Sequence, residues 1–324
     1  MKLTPAVLSS FVDTPLNEIK EIKLIEKGIS HIDDISCCVN LHRLDLSKNV
    51  LQFHSQMAGI QYCEGLTWIK LAFNQIEEIA FLERFQNLIT LNLSHNQLTR
   101  LTPHISNCKK LKALIINHNN FTTVENIGSL TELNSLILSH NKLSSPPQVH
   151  NLRFLTKLQL AHNVLREFPS VRLLENLKEL SLNNNRITSI PSEIQYCPCL
   201  AILNLGHNFI SRFEEIDILS RLLRLRELEL KGNPISKEPN YEEKVKSILP
   251  RLKIFDNKRF DEKQKRKERD IKTEGSGHQV GFSNQTTKKS RPDGSFNQLQ
   301  GASNGNVDTK SSFSNYAISG QNVV

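Results

Sequence analysis

The sequence predicts an α/β solenoid, a stack of short strand-plus-return units with an apolar core covered at both ends. Three observations carry this. The pattern Leu-x-x-Leu-x-Leu-x-x-Asn-x-Leu occurs nine times, with its asparagine at Asn49, Asn74, Asn96, Asn119, Asn141, Asn163, Asn185, Asn208 and Asn233. Successive asparagines lie 22 to 25 residues apart, and self-similarity at a fixed period of this size marks a repeat architecture. Between copies runs a second apolar period of three, as in "FTTVENIGSLTEL", where Phe121, Val124, Ile127, Leu130 and Leu133 recur.

Each part of the unit follows from its residues. In "LNSLILSHN" Leu136 and Leu138 alternate with Ser135 and Ile137, the mark of a short strand with one face buried. The asparagine side chain can serve backbone groups where the chain turns out of the strand, and stacked copies would form a buried ladder. Without partners those groups would cost about 1–3 kcal/mol each. The spacing by three predicts a 3₁₀-like or short helical return, and returns such as "EFPSV" and "SIPSEI" carry proline.

Such a unit buries its apolar side only against neighbours, so the ends need caps. Thr4 and Pro5 read as the N-cap and first turn of a helix leading into "AVLSSF". A degenerate first copy, "IKEIKLIEKGI" at 19–29, carries Lys27 in the asparagine position. At the other end Tyr241, Val245, Ile248 and Leu249 fall at helical spacing, Pro250 stops the helix, and Leu252, Ile254 and Phe255 close the core. The expected organisation is a capping segment over 1–18, ten repeats over 19–235 and a C-terminal cap over 236–260. Residues 261–324 read as a charged, then Ser/Asn/Gly-rich, disordered tail with too few aliphatic residues to offset its ordering entropy.

These repeats resemble the leucine-rich repeat family over roughly residues 15 to 256. The resemblance implies a right-handed horseshoe whose parallel sheet lines the concave side. Units of 22–23 residues resemble the short intracellular class typified by the leucine-rich regulatory subunit of type-1 protein phosphatase. "NPISKEPNYEEKVKSILPRLKIFD" resembles the C-terminal cap of intracellular members, a leucine-rich spliceosomal subunit among them.

Composition narrows the function classes. The net charge of +8 over 324 residues is a mild basic lean, too weak to mark a nucleic-acid surface by itself. No run of about 18 apolar residues is present to span a membrane. The start lacks the apolar stretch of a secretory leader, so an intracellular protein is expected. Cys38, Cys63, Cys108 and Cys197 each stand three residues before the first leucine of a repeat, a slot filled elsewhere by Phe85, Leu130, Leu152, Leu174 and Leu222. They read as small core hydrophobes rather than disulfide or zinc ligands. His95, His118, His140, His162 and His207 share the position before the ladder asparagine. Adjacent members would stand about 4.8 Å apart, and a structural or partner-contact role is expected ahead of a metal row. With no phosphate-binding glycine loop and no nucleophile elbow, neither an enzyme nor a cofactor is expected.

Function should then reside on the outward residues of the strands. That face offers Arg43, Trp68, Lys70 and nearby Phe73 at one end. Asn92, Ile115 and Ile137 occupy its middle, followed by Lys157, Gln159, Glu179, Ile202, Asn204, Glu227 and Glu229. Trp68, the one tryptophan, either anchors a partner or packs under Arg43 or Lys70 as a cation–π shelf. The expected function is a protein-binding scaffold or regulatory subunit, monomeric within a hetero-complex, with a phosphatase catalytic subunit as the partner the resemblance implies. The middle of the face, rich in Ser, Asn, Ile and Lys, departs from the acidic and aromatic docking residues of that class. In the tail, Val280-x-Phe282 is similar to a short phosphatase-docking motif. The alternative is a nuclear subunit of a nucleic-acid-associated complex, with Lys258, Arg259, Lys263, Lys265, Arg266, Lys267 and Arg269 as an import run. Direct nucleic-acid contact is not expected, because no stacking aromatics line a basic groove. A cytoskeletal or ciliary adaptor is a third reading.

Overall fold

The computed structural model describes residues 1–260. Lys263, Lys265, Arg266, Lys267 and Arg269 of the import run, together with Val280 and Phe282, lie outside the described residues.

Each repeat contributes one three-residue strand: Glu21–Lys23, Arg43–Asp45, Trp68–Lys70, Thr90–Asn92, Ala113–Ile115, Ser135–Ile137, Lys157–Gln159, Glu179–Ser181, Ile202–Asn204 and Glu227–Glu229. They pair in sequence order, all parallel, because every return carries the chain back to the same side before the next strand begins. Two further strands, Ile254–Phe255 and Lys258–Arg259, close the edge, the last one antiparallel, giving a twelve-stranded sheet among the described residues. The central leucine or isoleucine of each repeat strand meets its counterpart in register, Leu114 on Leu136 and Leu136 on Leu158. These inward positions form one continuous core with the residues of the returns. Each such leucine contributes on the order of 1.5–3 kcal/mol by leaving water.

The asparagines close the turn side of that core. The Nδ2 group of Asn141 donates to the carbonyls of Ile116 (3.1 Å) and Leu138 (2.9 Å), while its Oδ1 accepts the N–H of Phe121 at 3.2 Å. Asn163 repeats the arrangement one unit on, with Leu138, Leu160 and the N–H of Leu143. All nine ladder asparagines are buried. The run ends at Asp256, whose Oδ1 accepts from the N–H groups of Leu230 (2.7 Å) and Lys231 (2.9 Å) while Tyr241 donates its hydroxyl to Oδ2.

The returns are less uniform than the apolar period suggests. Short 3₁₀ segments occur at His54–Ile60, Ala80–Arg84, Pro103–Asn107, Ser192–Tyr196 and Ile218–Arg221. The segment 121–133, expected to be helical, contains none, although Phe121, Val124, Ile127, Leu130 and Leu133 are all buried. Asn126 has a positive φ of 62°, which interrupts any run of helical dihedrals. The next return contains Pro146 and Pro147, and the one after it Pro169; proline removes a donor and disfavours helix in the residue before it.

Both ends are covered. Thr4 accepts the N–H of Val7 through Oγ1 at 3.2 Å and caps the helix Pro5–Ser9, which buries Leu8. Lys2–Leu3 pairs with His31–Ile32 in a separate two-stranded sheet. At the other end the helix Tyr241–Ile248 buries Tyr241 and Val245 against the last repeat.

Cys38, Cys63, Cys108 and Cys197 lie in the core, as their shared slot predicts. Burial pushes each of these thiols up to about 12, with neighbouring thiols adding to the effect at Cys38 and Cys197, and Asp34 followed by Cys37 doing so at Cys63. Their thiolate population near neutral pH is therefore smaller by roughly a thousandfold than that of an ordinary cysteine. A native-state titration with a thiol reagent should modify exposed Cys37 and half-buried Cys199 and leave the other four until the chain is unfolded. Rapid modification of three or more thiols would contradict this packing.

Candidate partner-binding face

The register of the sheet sets the outward residues in two rows. One runs Glu21, Arg43, Trp68, Thr90, Ala113, Ser135, Lys157, Glu179, Ile202, Glu227, and the other Lys23, Asp45, Lys70, Asn92, Ile115, Ile137, Gln159, Ser181, Asn204, Glu229. All the sequence-predicted site residues except Phe73 and the import run belong to these rows.

Three zones follow. At the N-terminal end the Arg43 guanidinium lies 5.1 Å from the Trp68 ring centroid, so the tryptophan is half-buried on a cation–π shelf rather than standing free. Arg43 also approaches Glu21 at 3.7 Å, and Lys70 pairs with the buried Asp45 at 3.3 Å. The middle, from Thr90 to Ser139, carries no charged side chain at a strand position: Thr90, Asn92, Ala113, Ile115, Ser135 and Ile137 form its floor. Ile115 and Ile137 are half-buried there. Beyond it charge returns, again paired within the face. Lys157 meets Glu179 at 2.9 Å, Gln159 donates to Glu179 at 2.9 Å, and Asn204 donates to Glu229 at 2.6 Å. Ile202 is 36% exposed, the most open of the three face isoleucines.

Phe73 sits elsewhere. It shares the position before the ladder asparagine with the histidines, and its ring stacks on His95. His95 stacks on His118, His118 on His140 and His140 on His162, every step 4.0 Å between centroids with ring planes within 12°. The five residues share a left-handed backbone with φ of 54° to 56°, and Phe73, His140 and His162 are exposed. Asn184 continues the position, its Nδ2 3.3 Å from His162 Nε2, followed by His207 and Gly232. The rings stand closer together than the strand spacing of about 4.8 Å. The signal present in the sequence was chemical: Asn184 and Gly232 in the same slot are residue types that tolerate positive φ.

Partial desolvation and the neighbouring rings disfavour protonation of these imidazoles. His140 is held down to about 4, first by burial and then by its neighbours His118 and His162. His95, His118 and His162 are lowered in the same way, burial leading. Two charged rings about 4 Å apart would repel by roughly 1 kcal/mol in bulk water and about 4 at an effective dielectric of 20.

Lys258 and Arg259, the first two residues of the import run, form the closing strand, and Lys258 pairs with Glu242 at 2.8 Å. Among the described residues no group of three His, Cys, Asp or Glu side chains is arranged to hold a metal ion, and no helix is long and apolar enough to cross a membrane.

Residues 152–281 match a family model described as leucine-rich repeat, and residues 87–108 match another of the same description. The U2 small nuclear ribonucleoprotein A' of Mycosarcoma maydis is 34% identical over 92 residues, 28% of this chain and 37% of that protein. Leucine-rich repeat-containing protein 51 of Bos taurus is 40% identical over 70 residues, 22% of this chain and 36% of that protein. The chain thus spans little more than a third of the length of these relatives. A solved leucine-rich repeat protein of Leptospira interrogans aligns with a TM-score of 0.62 and 24% identity, covering 74% of this chain and 72% of that one, which identifies the fold.

Proposed function

We propose that this leucine-rich repeat solenoid is a non-catalytic, intracellular scaffold that holds a protein partner on its strand face. The observation that carries the reading is the uncharged floor around Ile115 and Ile137, left open between two zones whose charges are already paired with one another. Burying such a floor costs little desolvation of charge, while the Arg43–Trp68 shelf offers the residue types that dominate interface energies. A phosphatase catalytic subunit is the finer reading that the 22-residue period supports. Membership of a nuclear ribonucleoprotein assembly is the second reading, supported by the similarity to the U2 A' protein. In both, the chain acts as a monomer within a hetero-complex and contributes no cofactor.

The test is affinity capture with the full chain and with a Trp68→Ala/Lys157→Glu variant, its fold checked by circular dichroism. Face-mediated partners should be retained at least about tenfold less well by the variant, the effect of losing roughly 1.4 kcal/mol. Unchanged retention of every partner would remove the strand face from the reading. A nucleic-acid contribution would show instead as steep loss of binding with added salt.

A further inference from the structure

We propose that the ring column from Phe73 to His162 is a proton-sensitive rim: it holds together while its imidazoles are neutral, and acidification unstacks it and loosens the middle repeats. The column borders the uncharged centre of the strand face, so the same event would change the part of the molecule best suited to meet a partner. The inference goes beyond the scaffold reading and does not depend on it, because the chain alone displays the effect.

Four histidines from four consecutive repeats are in ring-to-ring contact, with no other group between them. Their backbones also hold the sheet edge: the N–H groups of His95, His118, His140 and His162 donate to the carbonyls of Asn117, Ser139, Ala161 and Asn183 at 2.8 to 3.0 Å. A ring driven out of the stack therefore pulls on the hydrogen bond that ties its repeat to the next. Both ends of the stack are groups that do not titrate, Phe73 at one and the Asn184 amide at the other.

The surroundings offer little to neutralise a charged ring. On the face side the adjoining strand residues are Ser94, Asn117, Ser139, Ala161 and Asn183. In the turns after the asparagines stand Lys142 and Arg186, both cations. Past Phe73 lies Lys48, paired with Glu26 at 3.7 Å. Past Asn184 come His207 and Lys231, whose carbonyl accepts the His207 N–H. Glu229 is engaged by Asn204 and approaches Gly206 near His207, at the far end from the stacked rings. The lowered histidines agree: protons are resisted by burial first and by the neighbouring imidazoles second.

The sign follows from linkage. Above about pH 6.5 both folded and unfolded chains carry neutral rings. Below it the unfolded chain takes up protons that the stack excludes, so stability falls as pH drops from about 6.5 toward the folded values, about 4 for His140.

The experiment is an NMR titration of the full chain from pH 8 to 4, following the ring Cε1–H signals of isotope-labelled histidine, assigned by single His→Asn variants. The urea-unfolded chain serves as reference. Signals of His95, His118 and His162 should titrate below the reference, and that of His140 at least one pH unit below it, with flattened curves, as expected when neighbouring sites repel. Exchange of their backbone amides at pH 5, corrected for intrinsic rate, should be at least tenfold faster than at pH 7. In His118→Asn/His140→Asn, which keeps the residue type that Asn184 shows to fit, His95 should rise toward the reference once His140 no longer repels it, and the acid-induced opening should disappear. Column histidines that titrate with the unfolded reference, amide exchange indifferent to pH, or a double variant in which His95 does not move would each overturn the proposal. The wild-type titration decides even if the double variant fails to fold.

Discussion

Asn141→Ala should lower the unfolding free energy by about 3–5 kcal/mol, read as a fall in the urea midpoint at pH 7. The asparagine makes three buried contacts of normal length, to the carbonyls of Ile116 and Leu138 and from the N–H of Phe121. These are not equivalent. Ile116 and Leu138 each retain a second donor, Asn119 and Asn163 respectively, whereas the Phe121 N–H would be left without a partner in the core. Asn141→Asp separates the two halves of the side chain. Its carboxylate still accepts from Phe121 but presents an oxygen to two carbonyls, so it should destabilise at least as much at pH 7 and recover part of the loss once protonated. A change below about 1 kcal/mol in both variants would mean the ladder is decorative, contrary to the cost of stranding buried polar groups.

Gly59→Ala should cost about 3 kcal/mol or more, at the top of the range for overpacking. A Cβ at this position would lie 1.9 Å from the carbonyl oxygen of Asp33 and 2.5 Å from that of Ile32. The obstacle is backbone, so no side chain can swing aside. Relief requires separating the His54–Ile60 return from the segment that pairs with Lys2–Leu3. A thermal melt should show the loss, and the Ile35 amide, bonded to the Gly59 carbonyl at 3.4 Å, should exchange faster. Gly128→Ala is the internal control: its added methyl would sit 3.6 Å from Asn151 Nδ2 at an ordinary φ, and the effect should stay within about 1 kcal/mol. Equal melting temperatures for the two variants would refute the close approach.

Most of the fold is legible in the repeat itself. The leucine and asparagine positions specify which residues face the core and where the chain turns, and the slot shared by Cys38, Phe85 and Leu130 shows that burial, not thiol chemistry, selects those cysteines. The returns are harder to read. A period of three is equally satisfied by a 3₁₀ turn and by an extended crossing that buries every third side chain, and only local residues such as Asn126 and Pro146 decide between them. On the strand face the rows are readable from alternation, but pairings across strands are not. Whether Trp68 stands free or lies under Arg43 depends on a 5.1 Å approach between residues 25 positions apart. The ring column is hidden for the same reason: ring-to-ring contact is made between residues about 22 positions apart, and the left-handed backbone they share is only hinted at by Asn184 and Gly232.

Asp256 bears on how such an array could lengthen. Each ladder asparagine gives protons to carbonyls behind it and receives one from the preceding unit, so an extra unit copied between Asn119 and Asn141 would find the same partners waiting on both sides. A carboxylate receives but cannot give. Duplication within the array is thus chemically neutral, whereas growth past Asp256 would first require exchanging that residue for an amide and freeing the Tyr241 hydroxyl that now rests on it.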